Sequence, residues 1–261
     1  MSAALGLASV ISASTSFEGT RLRLSFDQDS KQYELTSKSK TGVQRFQFQE
    51  EVELATGTPP RVSSLSVQPI GRDGRKYLVV LLAIHENSGG IAGAAHVFAL
   101  SHGRLGEVGM LNSNQMFYFP LLSMGHLVLT RSFEVGGTMS HAEMPRWQEY
   151  FQVDSGHLVK VTRSHRLYAH WVRDLSDTLE IYPADQDCWH YYGVALAGAG
   201  IKASPRAAYR RVLSHSADWH IGSQSKEEMS AWLRHRAALN SWPKLESGPD
   251  YWFEARRAVE H

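Results

Sequence analysis

The sequence predicts an α+β protein: an antiparallel β domain, arranged as a meander, a sandwich or a partial propeller, followed by a C-terminal helical region. From Arg21 to about Arg163, apolar and polar residues alternate with the period of two typical of half-buried strands. Glycine-containing turn sequences interrupt this alternation. After Ser164 the apolar spacing becomes that of an amphipathic helix. The predicted regions are a flexible or signal-like segment (1–19), an antiparallel β domain (20–165) and a helical region (166–261).

The N-terminal segment is open to three interpretations. Residues 1–16, MSAALGLASVISASTS, are apolar and rich in small side chains, and no Lys or Arg precedes Arg21. The segment therefore has the middle and end of a secretory signal without its basic beginning. A frayed N-terminus and a first strand are the alternatives. A remnant signal would indicate a periplasmic or secreted protein, and otherwise a cytoplasmic one is expected.

Alternating apolar residues mark the strands of the β domain. They are Leu22, Leu24 and Phe26 in RLRLSF, and Phe46, Phe48, Val52 and Leu54 in RFQFQEEVEL. Four turn sequences separate such strands: GRDGR (71–75), SHGRL (101–105), SMGHL (123–127) and DSGHL (154–158). Each contains a glycine where a tight turn requires a positive φ. The pattern predicts antiparallel strands joined by hairpins.

Three of these hairpins share one format, in which an aromatic-bearing strand and a short turn are followed by Gly, Arg or His, and Leu. They are VFALSHGRLGEV, YFPLLSMGHLVLT and YFQVDSGHLVKV. Their glycines, at positions 103, 125 and 156, are unevenly spaced, so the sequence contains a weak repeat and not a strict array. A plain antiparallel meander explains the same pattern equally well.

Part of the β domain, residues 70–110, contains IGRDGRKYLVVLLAIHENSGG and then HVFALSHGRLGEV. It resembles the strand, loop and strand of the FG-GAP or VCBS-type blades of extracellular β-propeller proteins. The resemblance implies a propeller-like sheet, and in that family an Asp-rich loop binds calcium. The matching turn here offers only Asp73, whereas calcium takes about six to eight oxygen ligands. A calcium site is therefore not expected.

Three strong helical segments follow, within a region expected to hold three to five helices. HRLYAHWVRDLSDTLEIYP places four apolar residues on one helical stripe: Leu167, Trp171, Leu175 and Leu179. Pro183 then ends this helix. The last segment, SKEEMSAWLRHRAAL, begins with Ser225 as a candidate N-cap and carries two glutamates in its first turn.

The segment between them, ADQDCWHYYGVALAGAG and the residues after it, has the spacing W-x2-L-G-x2-Y, with aromatic and aliphatic residues exchanged at two positions. Residues 187–216 therefore resemble one tetratricopeptide-like helical hairpin, although Pro205 and Ala217 depart from the family pattern. In that family, one face of the first helix lines a groove for an extended partner segment. The resemblance implies binding contacts from Asp187, His190, Val194 and Ala197. Packing of the same face on the β domain is the alternative.

Composition narrows the expected partners. The chain of 261 residues has a formal net charge of +1, from 27 Lys and Arg against 26 Asp and Glu, so no overall field attracts nucleic acid or anionic lipid. The Arg and Trp residues of the C-terminal third are better explained by helix packing than by nucleic-acid binding. The longest apolar run after the N-terminus, YLVVLLAI, is too short to span a bilayer. The expected partner is a protein or peptide, with no nucleic acid and no membrane span.

The sequence lacks the motifs of several common enzyme classes and metal sites. The single cysteine, Cys188, excludes an internal disulfide and a cysteine-based zinc cluster. No G-x-S-x-G elbow, P-loop or G-x-G-x-x-G fingerprint occurs. HAEMP at His141 and HENSG at His85 lack the further ligands that zinc enzymes of those types require. We therefore predict no catalytic residue, no metal and no cofactor from motifs.

Two functions are consistent with these observations. The leading hypothesis is a non-catalytic protein-interaction or scaffold module whose helical region docks a peptide or partner protein. The alternative is a hydrolase or metal-dependent enzyme with its site on loops of the β domain, formed by His85, Glu86, His141 and Glu143. The oligomeric state is not predictable from the sequence.

Overall fold

The fold is α+β, as predicted: three antiparallel sheets precede four helices. The computed structural model describes residues 12–27, 30, 32–48, 64–87, 90–113, 117–118, 128–136, 139, 144–220 and 225–245. The chain divides into two compact units, which we term the β unit (Met1–Ser132 with Tyr150–Lys160) and the helical unit (Phe133–Glu149 with Val161–His261).

The first two sheets are four-stranded antiparallel meanders in which each strand pairs with the next along the chain. The first consists of β1 (Ser12–Phe17), β2 (Thr20–Asp27), β3 (Gln32–Ser39) and β4 (Gly42–Gln47). The second consists of β5 (Ser64–Gln68), β6 (Tyr77–Asn87), β7 (Gly90–Ser101) and β8 (Arg104–Ser113).

The third sheet has the order β12-β11-β10-β9. Its strands are β9 (Phe117–Tyr118), β10 (Leu129–Glu134), β11 (Arg146–Asp154) and β12 (His157–Lys160). The boundaries of the two compact units fall within β10, after Ser132, and within β11, after Glu149. The residues between these two points belong to the helical unit, which therefore includes strand residues as well as helices.

The N-terminal segment differs in part from the flexible or signal-like segment expected for residues 1–19. Ser12–Phe17 form strand β1 and pair in register with β2, from Ser12 opposite Ser25 to Phe17 opposite Thr20. The reason is local alternation, because the side chains at 13, 15 and 17 are at least partly buried whereas the serines between them are exposed. The preceding residues, 1–11, lie outside the described part.

Three hairpins share one turn geometry. The central pairs are Glu18-Gly19, His102-Gly103 and Ser155-Gly156, with φ values of 47° and 78°, 51° and 75°, and 51° and 81°. Positive φ at both central residues is the arrangement of a type I′ turn, whose twist matches that of the flanking strands. The predicted turns at 101–105 and 154–158 are thus confirmed, and the predicted turn at 123–127 lies outside the described residues.

The β unit buries apolar side chains on both faces of its second sheet. Along β6, Leu78, Val80 and Leu82 pack in a cluster with residues of the first sheet, such as Leu24 and Leu35. Tyr77 and Val79 pack in a second cluster with Leu129, Phe151 and Val153. A strand buried on both faces needs a continuous apolar run, which explains the apolar residues from Tyr77 to Leu82.

The helices are α1 (His165–Ile181), α2 (Gln186–Ala199), α3 (Pro205–Leu213) and α4 (Lys226–Leu239), with a short 3-10 helix at Ser216–Asp218. The predicted stripe of α1 is confirmed, because its four apolar residues are buried. Ser225 caps α4 in a capping box with Glu228, also as predicted for the cap. In the described part of the chain, no helix has both the length and the apolar character needed to cross a membrane.

An aromatic cluster forms the core of the helical unit next to α1. The ring of Trp147 lies 6.0 Å from that of Tyr168, 5.3 Å from that of Trp171 and 4.9 Å from that of Tyr191. Helix α2 approaches α1 closely at Gly198, where the Tyr168 ring occupies the space that a Cβ would need. This close contact fixes α2 against α1 and leaves the opposite side of α2 to face other residues of the unit.

Candidate functional site

Buried polar contacts hold the start of α2 in place. The carboxylate of Asp185 accepts a hydrogen bond from the backbone N–H of Cys188 at 2.9 Å and so caps the helix. The indole Nε1 of Trp189 donates to the carbonyl of Pro183 at 2.7 Å. Asp185 and Trp189 are fully buried. These contacts fix the rotation of α2 about its axis, and thereby decide which of its residues face outward.

The segment that follows α4, residues 241–245, lies against α2 and α3, and we term it the C-terminal strap. The carbonyl of Ser241 accepts a hydrogen bond from the hydroxyl of Tyr209 at 2.8 Å. The carbonyl of Pro243 accepts one from Nδ1 of His190 at 2.9 Å. The strap is therefore anchored by its backbone to both helices of the hairpin.

Trp242 is the side chain that packs the strap onto the hairpin. Its ring stacks on that of Trp189, with centroids 6.0 Å apart and 22° between the planes, and meets the ring of Tyr192 edge-on at 5.7 Å. A Cβ at Gly193 would stand 2.7 Å from the Trp242 ring. Gly193, the glycine of the tetratricopeptide-like spacing, thus leaves the space that Trp242 of the strap occupies.

An open groove of about 420 Å³ lies beside the strap. It is bounded by the C-terminal half of α2, the loop leading to α3 and the strap. Its lining residues are Gly193, Leu196, Ala197, Ile201, Lys202, Ala203, Ser204 and Trp242. This lining is mainly apolar and contains one charged side chain, Lys202.

The cap at the end of α2 shapes the groove. Gly200 has a left-handed conformation, with φ 73°, and its N–H donates to the carbonyl of Ala197 at 3.1 Å. The N–H of Ile201 donates to the carbonyl of Leu196 at 2.9 Å, which completes a Schellman motif. The chain turns sharply there, and Ile201 is left 39% exposed at the groove.

The loop from 201 to 204 is neither helix nor strand. Ser204 has extended dihedral angles, φ −81° and ψ 123°, and caps α3 through its side chain. Among the described residues, none accepts a hydrogen bond from the backbone N–H of Lys202 or Ala203. The loop that borders the groove therefore has two backbone N–H groups without an acceptor among the described residues.

The four residues singled out by the tetratricopeptide resemblance have different surroundings. Asp187 and Val194 are half-buried, and His190 is bound to the strap through Pro243. Ala197 is exposed and is the member of the four that lines the groove. The strap of this chain thus already occupies one of the positions at which a partner was expected.

Burial shifts the pKa values of two side chains at the start of α2. Burial, reinforced by the neighbouring Asp185, raises the pKa of Asp187 above its usual value, and His190 opposes this rise. Burial also raises the pKa of the Cys188 thiol well above its usual value, with Asp185 adding to the effect. Because a thiolate is the nucleophilic form of cysteine, Cys188 is not an activated nucleophile.

The alternative site proposed on the β domain cannot be assembled from the described side chains. His85 and Glu86 lie on β6, where their backbones pair with Ala92 and Ile91, but their side chains are not among those described. His141 and Glu143 lie outside the described residues. The enzyme hypothesis therefore stays a prediction.

Potential metal ligands do not cluster in the described part of the molecule. Within those residues, no group of three or more His, Cys, Asp or Glu side chains is placed to hold a metal ion. The buried His96 instead has its Nδ1 2.7 Å from the carboxylate of Glu107. His102 lies in an exposed turn beside the Ser101 hydroxyl, at 3.0 Å.

Three residues important to the groove were missed by the sequence-based reasoning: Ile201, Lys202 and Trp242. A usable signal exists for the first two, because GAGIK combines a helix-ending glycine with an apolar residue directly after it. No local signal marks Trp242, because SWPKL follows the last helix without helical or strand periodicity.

Comparisons with protein-family models, with curated proteins and with solved structures find no match to this chain. The resemblances to a tetratricopeptide-like hairpin and to FG-GAP or VCBS-type blades therefore stay predictions.

Proposed function

We propose that this protein is a non-catalytic docking module whose helical unit binds an extended peptide segment of a partner protein in the groove beside the C-terminal strap. The observation that carries the proposal is an apolar groove with an exposed isoleucine at its rim, next to backbone donors that are not engaged. The helix cap uses only the backbone N–H of Ile201, so it does not require an apolar side chain at this position. The isoleucine side chain is nevertheless 39% exposed there.

The groove supports a peptide better than a small molecule. Small-molecule sites enclose most of their ligand and present several convergent polar groups. This groove is open, and among the described residues that line it the polar aliphatic side chains are Lys202 and Ser204. The backbone N–H groups of Lys202 and Ala203 provide the main-chain partners that an extended peptide uses, and the apolar lining provides a place for its side chain.

The strap provides an internal precedent for this mode of binding. Residues 241–245 form neither helix nor strand, and their carbonyls bind side chains of α2 and α3 while Trp242 fills the space at Gly193. An extended segment of a partner would use the same kinds of contact one turn further along α2, near Ala197. The strap would then form one wall of the binding site.

The test is selection from a peptide library displayed on phage, followed by titration of the selected peptides with intrinsic tryptophan fluorescence as the readout. Trp242 lines the groove, so occupancy changes its surroundings directly. The decisive variant is Ile201→Ser. Burying the exposed 39% of this side chain contributes about 1 kcal/mol, so the dissociation constant should rise about fivefold.

A matched control is available in α1. Ile181 is 36% exposed and does not line the groove, so Ile181→Ser should leave the dissociation constant unchanged. Both variants replace an exposed isoleucine and are expected to fold. Failure to select any peptide, or equal binding by Ile201→Ser and the unaltered protein, would refute docking in this groove.

A further inference from the structure

Charge is distributed unevenly along the helical unit. Residues 165–187 contain five carboxylates: Asp174, Asp177, Glu180, Asp185 and Asp187. Residues 188–213, which form most of α2, the loop after it and α3, contain four Lys and Arg and no Asp or Glu, and the strap adds one Lys, whereas α4 carries three Lys and Arg against two Glu. The net charge of +1 for the whole chain conceals this separation.

Three cations lie around the loop that borders the groove. Lys202 is part of the lining. Arg206 follows in the first turn of α3, held by a hydrogen bond from its Nε to the carbonyl of Ala237 at 3.1 Å. The guanidinium of Arg163 lies 3.8 Å from the place where a Cβ would stand at Gly200. Three positively charged side chains are therefore close in sequence or in space to this loop.

These cations are not neutralised within the part of the protein that is described. Arg211 forms an ion pair with Glu180, but Arg163, Lys202 and Arg206 form none with a described carboxylate. Unpaired positive groups around an apolar groove favour a negatively charged occupant, because complementary charge increases the association rate and selects against basic segments.

We infer that the peptide bound in this groove is acidic, with one aliphatic or aromatic side chain seated against Ile201 and Ala197 and with Asp or Glu residues on either side of it. This inference rests on the proposed docking function and specifies the partner. The acidic side chains pair with Lys202 in the lining, and Arg163 and Arg206 add positive charge near the loop.

Binding of single-stranded nucleic acid is a second possible reason for the positive charge near the groove, and the structure does not favour it. Such binding requires aromatic faces that are open for base stacking. The rings of Trp189, Tyr192 and Tyr209 are at most 8% exposed, and one face of the Trp242 ring is covered by Trp189. The geometry points to a peptide that pairs its charges at the rim and places an apolar side chain inside.

The test uses calorimetric titration of the full chain with synthetic acetylated peptides. Each has one central residue, Ala, Val, Leu or Phe, flanked by Ser and Glu, and each is matched by a version with Gln in place of every Glu. The best Glu peptide should bind about tenfold more tightly than its Gln counterpart at low salt, since each exposed ion pair contributes up to about fivefold. Raising the salt should remove most of that difference.

Two charge-reversal variants separate a local effect from one of net charge. Lys202→Glu should weaken binding of the Glu peptide about tenfold and leave binding of the Gln peptide nearly unchanged. Lys40→Glu makes the same change in net charge at an exposed turn of the β unit and should leave both unchanged.

The outcomes distinguish the two proposals. Equal binding of Glu and Gln peptides, with both weakened by Ile201→Ser, would overturn the acidic partner and retain the docking function. No binding of any peptide would overturn both. Tight binding of an oligothymidine strand without binding of the Glu peptides would replace the peptide with a nucleic acid.

Discussion

The contact between α1 and α2 at Gly198 makes a quantitative prediction about the helical unit. Replacement of a helical glycine by alanine normally stabilises a helix by about 1 kcal/mol. Here a Cβ would stand 2.6 Å from two carbon atoms of the Tyr168 ring, well inside ordinary contact distance. We expect Gly198→Ala to be destabilising, because the ring has no room to move.

The magnitude follows from how tightly Tyr168 is held. Its ring is 1% exposed, its hydroxyl donates to the carbonyl of Val161 at 2.5 Å, and the N–H of Ser164 donates to the carbonyl of Gly198 at 2.8 Å. Overpacking of a rigid core costs about 1 to 3 kcal/mol. The helix-propensity gain of about 1 kcal/mol is subtracted from this cost. The free energy of unfolding should therefore fall by about 1 kcal/mol, or by about 2 kcal/mol at the upper end of the range.

Urea unfolding followed by tryptophan fluorescence measures this loss in the unit concerned. None of the seven tryptophans lies in the sequence of the β unit, so the signal reports the helical unit alone. Gly193→Ala is the matched control for Gly198→Ala, because it adds a Cβ to another glycine of α2. That Cβ would meet the ring of Trp242, which is half-buried and lies in the strap after the last helix. That variant should cost less than Gly198→Ala, because the half-buried Trp242 can shift more easily than the buried Tyr168. A Gly198→Ala protein as stable as the unaltered one would refute the close helix contact.

Three further predictions concern single side chains. Burial lowers the pKa of His170 below 6.5, and the nearby Asp174 opposes this shift. Because the unfolded chain then binds a proton more readily than the folded one, the stability contributed by neutral His170 is present above pH 6.5. It is lost as the pH falls through the folded-state pKa. His170→Gln should therefore lose less stability between about pH 7.5 and about pH 5.5, measured by urea unfolding. Cys188 is fully buried, so a thiol reagent should react only as fast as the helical unit opens, and fast reaction without unfolding would contradict its position. Ser225→Ala removes the capping box of α4 and should cost about 1 kcal/mol in thermal unfolding, whereas Ser225→Asp should retain most of it.

The elements that could be predicted from the sequence are those specified by neighbouring residues. The stripe from Leu167 to Leu179 repeats at helical spacing, and Ser225 stands directly before an acidic first turn, so both follow from local rules. The turn at His102-Gly103 follows in the same way from its glycine. Strand β1 was only one of several interpretations, because SASTSF has few large apolar residues, although the Glu18-Gly19 turn after it has the same geometry.

The groove could be predicted only in part because its parts are distant in sequence. The tetratricopeptide-like spacing points to α2, the helix that also borders the groove, and one of its four residues, Ala197, is in the lining. It did not identify the wall formed by Trp242, which depends on contacts across about fifty residues, such as His190 with Pro243. Such contacts are set by how helices pack, and no local periodicity records them.

The strap explains why the candidate site lies at the end of α2 and not along its whole length. Near His190 the surface of the hairpin is taken by the carbonyl of Pro243, and at Gly193 it is filled by the Trp242 ring. One turn further on, the helix ends in a Schellman motif that turns the chain outward and leaves Ile201 exposed. The apolar surface that the strap does not cover is the groove, and Lys202 next to it carries a charge without a described partner. In the proposed function, an apolar groove that the strap borders and Lys202 lines is complementary to an acidic segment with one apolar side chain.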